Sequence, residues 1–230
     1  MAKLTIGIIG AGATGLAAAW DFANAGHEVT IYEAGDRVGG LAAGFKDVGW
    51  NWTLEKFYHH WFTTDDDILG LAEEMNVRDK VIFPRPKTSY WIDGKPVRSE
   101  ISPSAIFLPQ SLLSTIRMGL AGIYVKLSPY WKPFEKVTAD QWMRRWMGDE
   151  AYEKFFKPLL IGKFAELYDT VPMSFMWARI VKRTLKLGTY IGGFQAFLDE
   201  LGQQLEAKGV TIHLNSPVEG IGTQGDKPTL

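Results

Sequence analysis

Cysteine is absent from this chain of 230 residues, which excludes disulfides, thiolate metal centres and cysteine nucleophiles. Basic tracts are absent as well. Twenty-five Lys and Arg against 26 Asp and Glu leave a net charge of −1, so nothing points to a nucleic-acid partner. No apolar run reaches the ~18 residues of a membrane span. The first residues enter a strand pattern without a charged n-region or a cleavage site, so a cytoplasmic setting is expected. No Ser-His-Asp set or placed pair of carboxylates stands out, and no residues complete a metal site around His59-His60. Tryptophan, in contrast, is plentiful at nine. These rings fit a bulky core better than the walls of a pocket for a large apolar substrate.

One stretch organises the rest. Leu4 to Ile9 reads as a strand, Gly10-Ala11-Gly12-Ala13-Thr14-Gly15 as a glycine turn, and residues 13–25 as an alanine-rich helix ended by Gly26. A second strand, Glu28 to Tyr32, leads into Glu33. Gly10 permits the tight turn, Gly12 lets backbone approach a pyrophosphate, and Gly15 lets the helix lie close on the strand. The N–H groups at Ala13 and Thr14 open the helix and face the phosphates. Glu33 lies near the ~20-residue offset at which a carboxylate accepts hydrogen bonds from a ribose diol.

Arg37-Val38-Gly39-Gly40-Leu41 follows. It resembles the R-x-G-G continuation of the FAD fingerprint in the monoamine oxidase, protoporphyrinogen oxidase and phytoene desaturase superfamily. The resemblance implies FAD as cofactor, with Ala34, Gly39, Gly40 and Leu41 close to it and Arg37 near its phosphates and ribose. It extends to Pro158-Leu159-Leu160-Ile161-Gly162-Lys163-Phe164 followed by Met173-Ser174. It extends also to Gly192-Gly193-Phe194-Gln195, Val210 to Leu214 and Val218 to Ile221. It implies that the strand after residue 209 returns to the nucleotide sheet and that Val218 meets the adenine. The string His59-His60-Trp61-Phe62-Thr63-Thr64 is similar to a segment of UDP-galactopyranose mutases, which places His60 beside the flavin. Thr63 stands where that pattern has a second histidine. Neighbours on an extended chain point opposite ways, so His59 is expected to be structural.

The remaining pattern is local. Thr64 is the expected N-cap of a helix to Met75, with Asp65, Asp66 and Asp67 in its first turn. Lys80–Pro84 and Lys87–Ile92 read as strands, and Asp93-Gly94 as a hairpin turn into Lys95–Arg98. Ser102-Pro103 opens a helical region reaching about Arg183. Leu112, Leu113, Ile116, Leu120, Ile123 and Leu127 recur at helical spacing. Core packing is the expectation for that stripe, with contact to a membrane surface or partner the alternative. Thr138 to Gln141 is a capping box, and Arg144 and Arg145 are expected on a solvated face. Gly222 to Asp226 reads as a turn.

The expected fold is α/β: a Rossmann-like FAD-binding sheet with an inserted β-hairpin and a mainly helical substrate region. The boundaries are 1–78 for the nucleotide part, 79–190 for the substrate region and 191–230 for the return. The resemblance implies a longer parent, of which this is the N-terminal portion. It also implies hydride removal by flavin from a small-molecule substrate, large and apolar. Alternatives are a flavin-dependent isomerase resembling the mutases, or an inactive nucleotide-binding fragment.

Overall fold

The structure is a computed structural model. It describes residues 2–85, 88–92, 95–99, 110–182, 184, 186–224 and 227–229, of which 88–92, 95–99, 224 and 227–229 are described by backbone alone. The chain forms two compact units, Met1–Pro84 with Leu187–Leu230, and Arg85–Lys186.

The first unit begins with β1 (Thr5–Ile9), α1 (Ala13–Asn24) and β2 (Glu28–Tyr32). β1 runs parallel to β2, with Thr5 opposite Glu28 and Ile9 opposite Tyr32. Short strands β3 (Gly44–Phe45) and β4 (Leu54–Glu55) pair antiparallel. Next come α2 (Asp66–Glu74) and β5 (Val81–Ile82).

In the second unit, β6 (Thr88–Ile92) and β7 (Lys95–Ser99) form the expected hairpin, with Ile92 opposite Lys95. The turn at Asp93-Gly94 and the helix start at Ser102-Pro103 lie outside the described residues. α3 (Leu112–Leu127), α4 (Lys132–Glu135), α5 (Ala139–Met147) and α6 (Asp149–Ala151) follow. A π-turn at Tyr152–Phe156 then leads into α7 (Lys157–Phe164) and α8 (Met173–Lys182). The chain re-enters the first unit through β8 (Thr189–Tyr190), α9 (Phe194–Ala207) and β9 (Thr211–His213), and ends in β10 (Gly222–Gln224) and β11 (Lys227–Thr229).

β9 joins β2 in parallel, Thr30 opposite Thr211, so the return to the nucleotide sheet is as expected. β2 is therefore the central strand, and its Val29 and Ile31 are buried. α1 adds Leu16, Ala19 and Trp20 to the same core, and α9 adds Phe197, Leu198, Leu201 and Leu205. Each such fully buried large side chain contributes about 1.5–3 kcal/mol. In the second unit, Val125, Met143, Met147, Tyr152, Leu160 and Met173 build a separate core.

Several expectations need correction. Residues 79–84 and 187–190 belong with the nucleotide unit, because β5 pairs with β8 and Leu187 N donates to Pro84 O. The α2 N-cap is Asp65 rather than Thr64, and its Oδ2 accepts from Phe62 N at 2.8 Å. Residues 218–221 pair with no strand among the described residues. Gly222–Gln224, read as a turn, is instead a strand paired with Lys227–Thr229. Arg145 is exposed as expected, whereas Arg144 is only partly so. Arg144 bonds Asp140, Asp149 and Glu153 and lies 4.4 Å over the Tyr152 ring.

The largest correction concerns α3. Its buried face consists of Ser114, Ala121 and Val125, while Leu112, Leu113, Ile116, Leu120, Ile123 and Leu127 are all exposed. Helices approach most closely where side chains are small. The small-residue face therefore packs against α5 and α8, and the leucines turn outward.

Candidate functional site

The site starts at the carboxyl end of β1. Gly10 takes φ +96°, a conformation side chains rarely adopt, and its N–H donates to Tyr32 O at 2.8 Å. A Cβ on Gly15 would overlap the Gly10 carbonyl oxygen, which is why the helix can enter so close to the strand. Gly12 is the N-cap of α1 and has no side chain to cap it. The first amides of a helix lack intrahelical acceptors, so those of Ala13, Thr14 and Gly15 are available to an anion, favoured by the helix dipole.

A second glycine segment meets the first. Gly39 N donates to Ala11 O at 2.8 Å, and Gly12 and Gly39 form an isolated parallel bridge. A Cβ on Gly40 would lie 3.1 Å from Gly12 Cα. Only glycines allow two backbones this near each other and a ligand together. Glu33, at the end of β2, fixes the arrangement. Its Oε2 accepts from Ala11 N at 2.7 Å and its Oε1 from Gly35 N at 2.8 Å. Asn215 N and Ser216 N donate to Gly35 O and Glu33 O, so the chain after β9 seals the same corner.

From these turns a cavity of about 540 Å³ opens, within the first unit. Gly10, Gly12, Ala13, Thr14, Gly15, Gly39 and Leu41 contribute to its lining. So do His59, His60, Trp61, Phe194, Phe197 and Leu198. Trp61 meets Phe194 and Phe197 edge-on, at 4.8 and 5.1 Å between centroids. His60 meets Phe62 edge-on at 4.8 Å, and His59 Nδ1 lies 2.6 Å from Phe57 O. The helix amides and the apolar aromatic side chains of this lining suit a dinucleotide that carries a flat ring system. The residues present fit FAD.

The expected site residues do not all converge. Gly40 touches Gly12 from outside the lining, and Glu33 lies behind the turn. Ala34 and Val218 do not line the cavity. Arg37 does not line it either. Its guanidinium pairs with Asp36, 3.2 Å away. That pairing holds Asp36 below its ordinary value and Arg37 above. His59, expected to have a structural role, borders the cavity together with His60. Phe194 and Leu198 were not anticipated as wall residues. Their one sequence signal was position, directly after the Gly192-Gly193 pair, on the stripe of α9 that faces the core. Two further tryptophans, Trp50 and Trp52, border a separate shallow groove with Thr53 and Gly193. Among the described residues no group of His, Asp and Glu is placed to hold a metal.

A glycine turn at the end of a parallel strand, a second glycine segment against it and an acid behind them are the features of a dinucleotide-binding α/β protein. The family model for flavin containing amine oxidoreductases matches residues 13–230, and this chain belongs to that family. Its cofactor is accordingly FAD. Protoporphyrinogen oxidase 1 of Spinacia oleracea is 27% identical over 194 residues, covering 81% of this chain and 34% of the relative. The 15-cis-phytoene desaturase of Synechococcus elongatus is 23% identical, covering 94% of this chain and 50% of that protein. The chain thus spans about a third to a half of the length of these curated relatives. Among solved structures, an oxidoreductase from Methanosarcina mazei superposes with a TM-score of 0.70 at 21% identity, covering 99% of this chain and 54% of that one. Putrescine oxidase bound to putrescine gives 0.66 at 20% identity, covering 98% and 53%. These two establish the shared fold.

Proposed function

We propose that this chain provides the nucleotide-binding part of an FAD-dependent oxidoreductase that removes hydride from a C–H bond of a large, apolar substrate. The observation that carries the reading is the cavity itself, lined both by the first residues of α1 and by aromatic side chains. Bound FAD would supply the two-electron acceptor chemistry. The protein's part is placement. The amides of Ala13 to Gly15 would receive the pyrophosphate, Glu33 orders the turn through Ala11 N and Gly35 N, and Trp61 and Phe194 would shield the ring from water. His60, bordering the cavity, would face the flavin. The relatives named for protoporphyrinogen and phytoene support an apolar substrate.

The test is optical and then catalytic. The purified chain, incubated with FAD and then freed of unbound flavin by gel filtration, should remain yellow, and its retained flavin should bleach under dithionite. A chain that emerges colourless sinks the reading in favour of an inactive fragment. Porphyrinogen, carotenoid precursor, amine and UDP-galactopyranose substrates then separate oxidation from isomerisation. Turnover of the sugar nucleotide alone would overturn the oxidase assignment. Thr63, exposed and in place of a second histidine, speaks against that outcome.

A second reading concerns a partner. We propose that α3 docks on an anionic bilayer surface. Leu112 is 70% exposed, Leu120 64% and Leu127 76%, on one helix that carries no acid, its Arg117 and Lys126 donating to the carbonyls of Arg145 and of Ile180 and Val181. Tyr130, Trp131 and Lys132 follow, all exposed. Apolar, aromatic and basic groups in that arrangement suit the headgroup region. Among the described residues no helix is long and apolar enough to cross a membrane.

A further inference from the structure

Gln195 is a polar side chain in an apolar place. It is 4% exposed, on the second residue of α9, between Phe194 and Phe197 of the cavity wall. Its amide is fully used. Oε1 accepts from Gly44 N at 3.0 Å, and Nε2 donates to Val38 O at 3.0 Å and to Asp199 Oδ1 at 2.6 Å. These partners also fix which way the amide points, because a backbone N–H needs an acceptor and a carbonyl needs a donor.

The two backbone partners bracket one loop. Val38 directly precedes Gly39-Gly40, and Gly44 directly follows the short turn at Gly40–Ala42 and Ala43. One side chain thus holds both ends of the second glycine segment, the one whose Gly39 bonds Ala11 and whose Gly40 abuts Gly12. Asp199, one helical turn on, holds the amide in place. The glycines carry no side chains with which to anchor themselves, so their position must be imposed from outside. Gln195 imposes it.

We propose that Gln195 is a positioning residue for FAD: it pins the Val38–Gly44 loop against the first glycine turn and thereby sets cofactor affinity without touching the cofactor. A merely structural glutamine would support the fold alone. α9 contains such a control. Gln204 Nε2 donates to Met75 O at 3.1 Å, away from the glycine loops.

The experiment compares Gln195→Met and Gln204→Met, both of which keep side-chain length, in the 230-residue chain. FAD affinity is read by flavin fluorescence, and backbone amide exchange is followed in the FAD-free proteins. Gln195→Met should weaken FAD about tenfold, the equivalent of roughly 1.4 kcal/mol, and speed exchange at Gly39 and Gly44. Gln204→Met should do neither, although each variant loses a hydrogen bond and should melt at a lower temperature. Equal weakening by the two variants, or unchanged affinity in a folded Gln195→Met, overturns the proposal. If Gln195→Met does not fold, the wild-type chain decides. Its Gly44 amide should exchange far more slowly than that of exposed Gly49, and fast exchange at Gly44 also overturns it. The exchange measurements need no FAD, so they test the pin even if the wild-type chain fails to bind flavin and the functional reading falls.

Discussion

Glu33 Oε2 accepts the Ala11 amide at 2.7 Å, tying the end of β2 to the glycine turn that follows β1. The carboxylate whose place in the sequence points to a ribose thus has a prior task within the protein. Its other oxygen holds Gly35 N at 2.8 Å, so both adjoining turns depend on it. Glu33→Gln must place an amide N–H against one of those two backbone N–H groups. Loss of one such hydrogen bond costs about 1 kcal/mol, or ~2–4 °C in melting temperature for a chain of this size. FAD affinity should drop by about tenfold alongside. Calorimetry and a flavin titration check both. Unchanged stability in Glu33→Gln would show that the carboxylate does not order the turn.

Gly15 gives a sharper steric forecast. A methyl group there would overlap the Gly10 carbonyl oxygen, whereas one on Gly7 meets nothing within 4 Å. Overpacking against fixed backbone costs about 1–3 kcal/mol. Gly15→Ala should therefore lose that stability and most FAD binding, because relief of the clash moves α1 away from β1. Gly7→Ala should retain FAD. Equal affinities for the two variants would contradict the close approach.

These two residues also show how much was legible in the sequence. The turn at Gly10 to Gly15, the helix after it, the cap at Gly26 and the acid at Glu33 are set by neighbours close along the chain, so spacing alone reveals them. The cavity wall is another matter. Phe194 and Leu198 come to it from α9, far along the chain from the glycine turn, and only tertiary packing brings them there. Arg37, expected near the phosphates, does not line the cavity, and its guanidinium pairs with its neighbour Asp36, a local contact that the R-x-G-G spacing does not reveal. α3 misled for a different reason. Apolar residues lie on more than one face of it, so helical spacing identified the helix without saying which face is buried.

Acid sensitivity should arise at Glu200. Burial alone would raise its carboxyl, but hydrogen bonds from Lys80 and Tyr190, both at 2.7 Å, outweigh this and hold it below the ordinary value. Burial and the same carboxylate push the Tyr190 hydroxyl up. A carboxylate depressed in the folded state stabilises fully above its unfolded value, and that contribution vanishes as pH falls through the folded one. Melting temperature should thus be level near neutrality and decline below about pH 4.5. Glu200→Gln should begin lower at neutral pH and decline less steeply. Parallel acid limbs for the two proteins would remove Glu200 as the cause.

The exposed stripe of α3 can be separated from its buried face by paired substitutions. Leu113 and Leu120 are 68% and 64% exposed, whereas Val125 on the same helix is fully buried. Leu113→Asp with Leu120→Asp removes apolar surface and adds negative charge where an anionic bilayer would sit. Melting temperature should change little, since exposed positions away from special contacts usually shift stability by no more than about 0.5 kcal/mol. Binding to vesicles containing phosphatidylserine, followed by co-sedimentation, should disappear. Val125→Asp should instead unfold the second unit, because it buries an unpaired charge. High salt should weaken the wild-type protein's attachment only partly, as screening reduces the attraction of exposed cations such as Lys132 but leaves the leucines able to insert. Wild-type protein that ignores these vesicles would remove the bilayer as the partner of α3. Attachment abolished by salt alone would mean that the leucines do not enter the lipid.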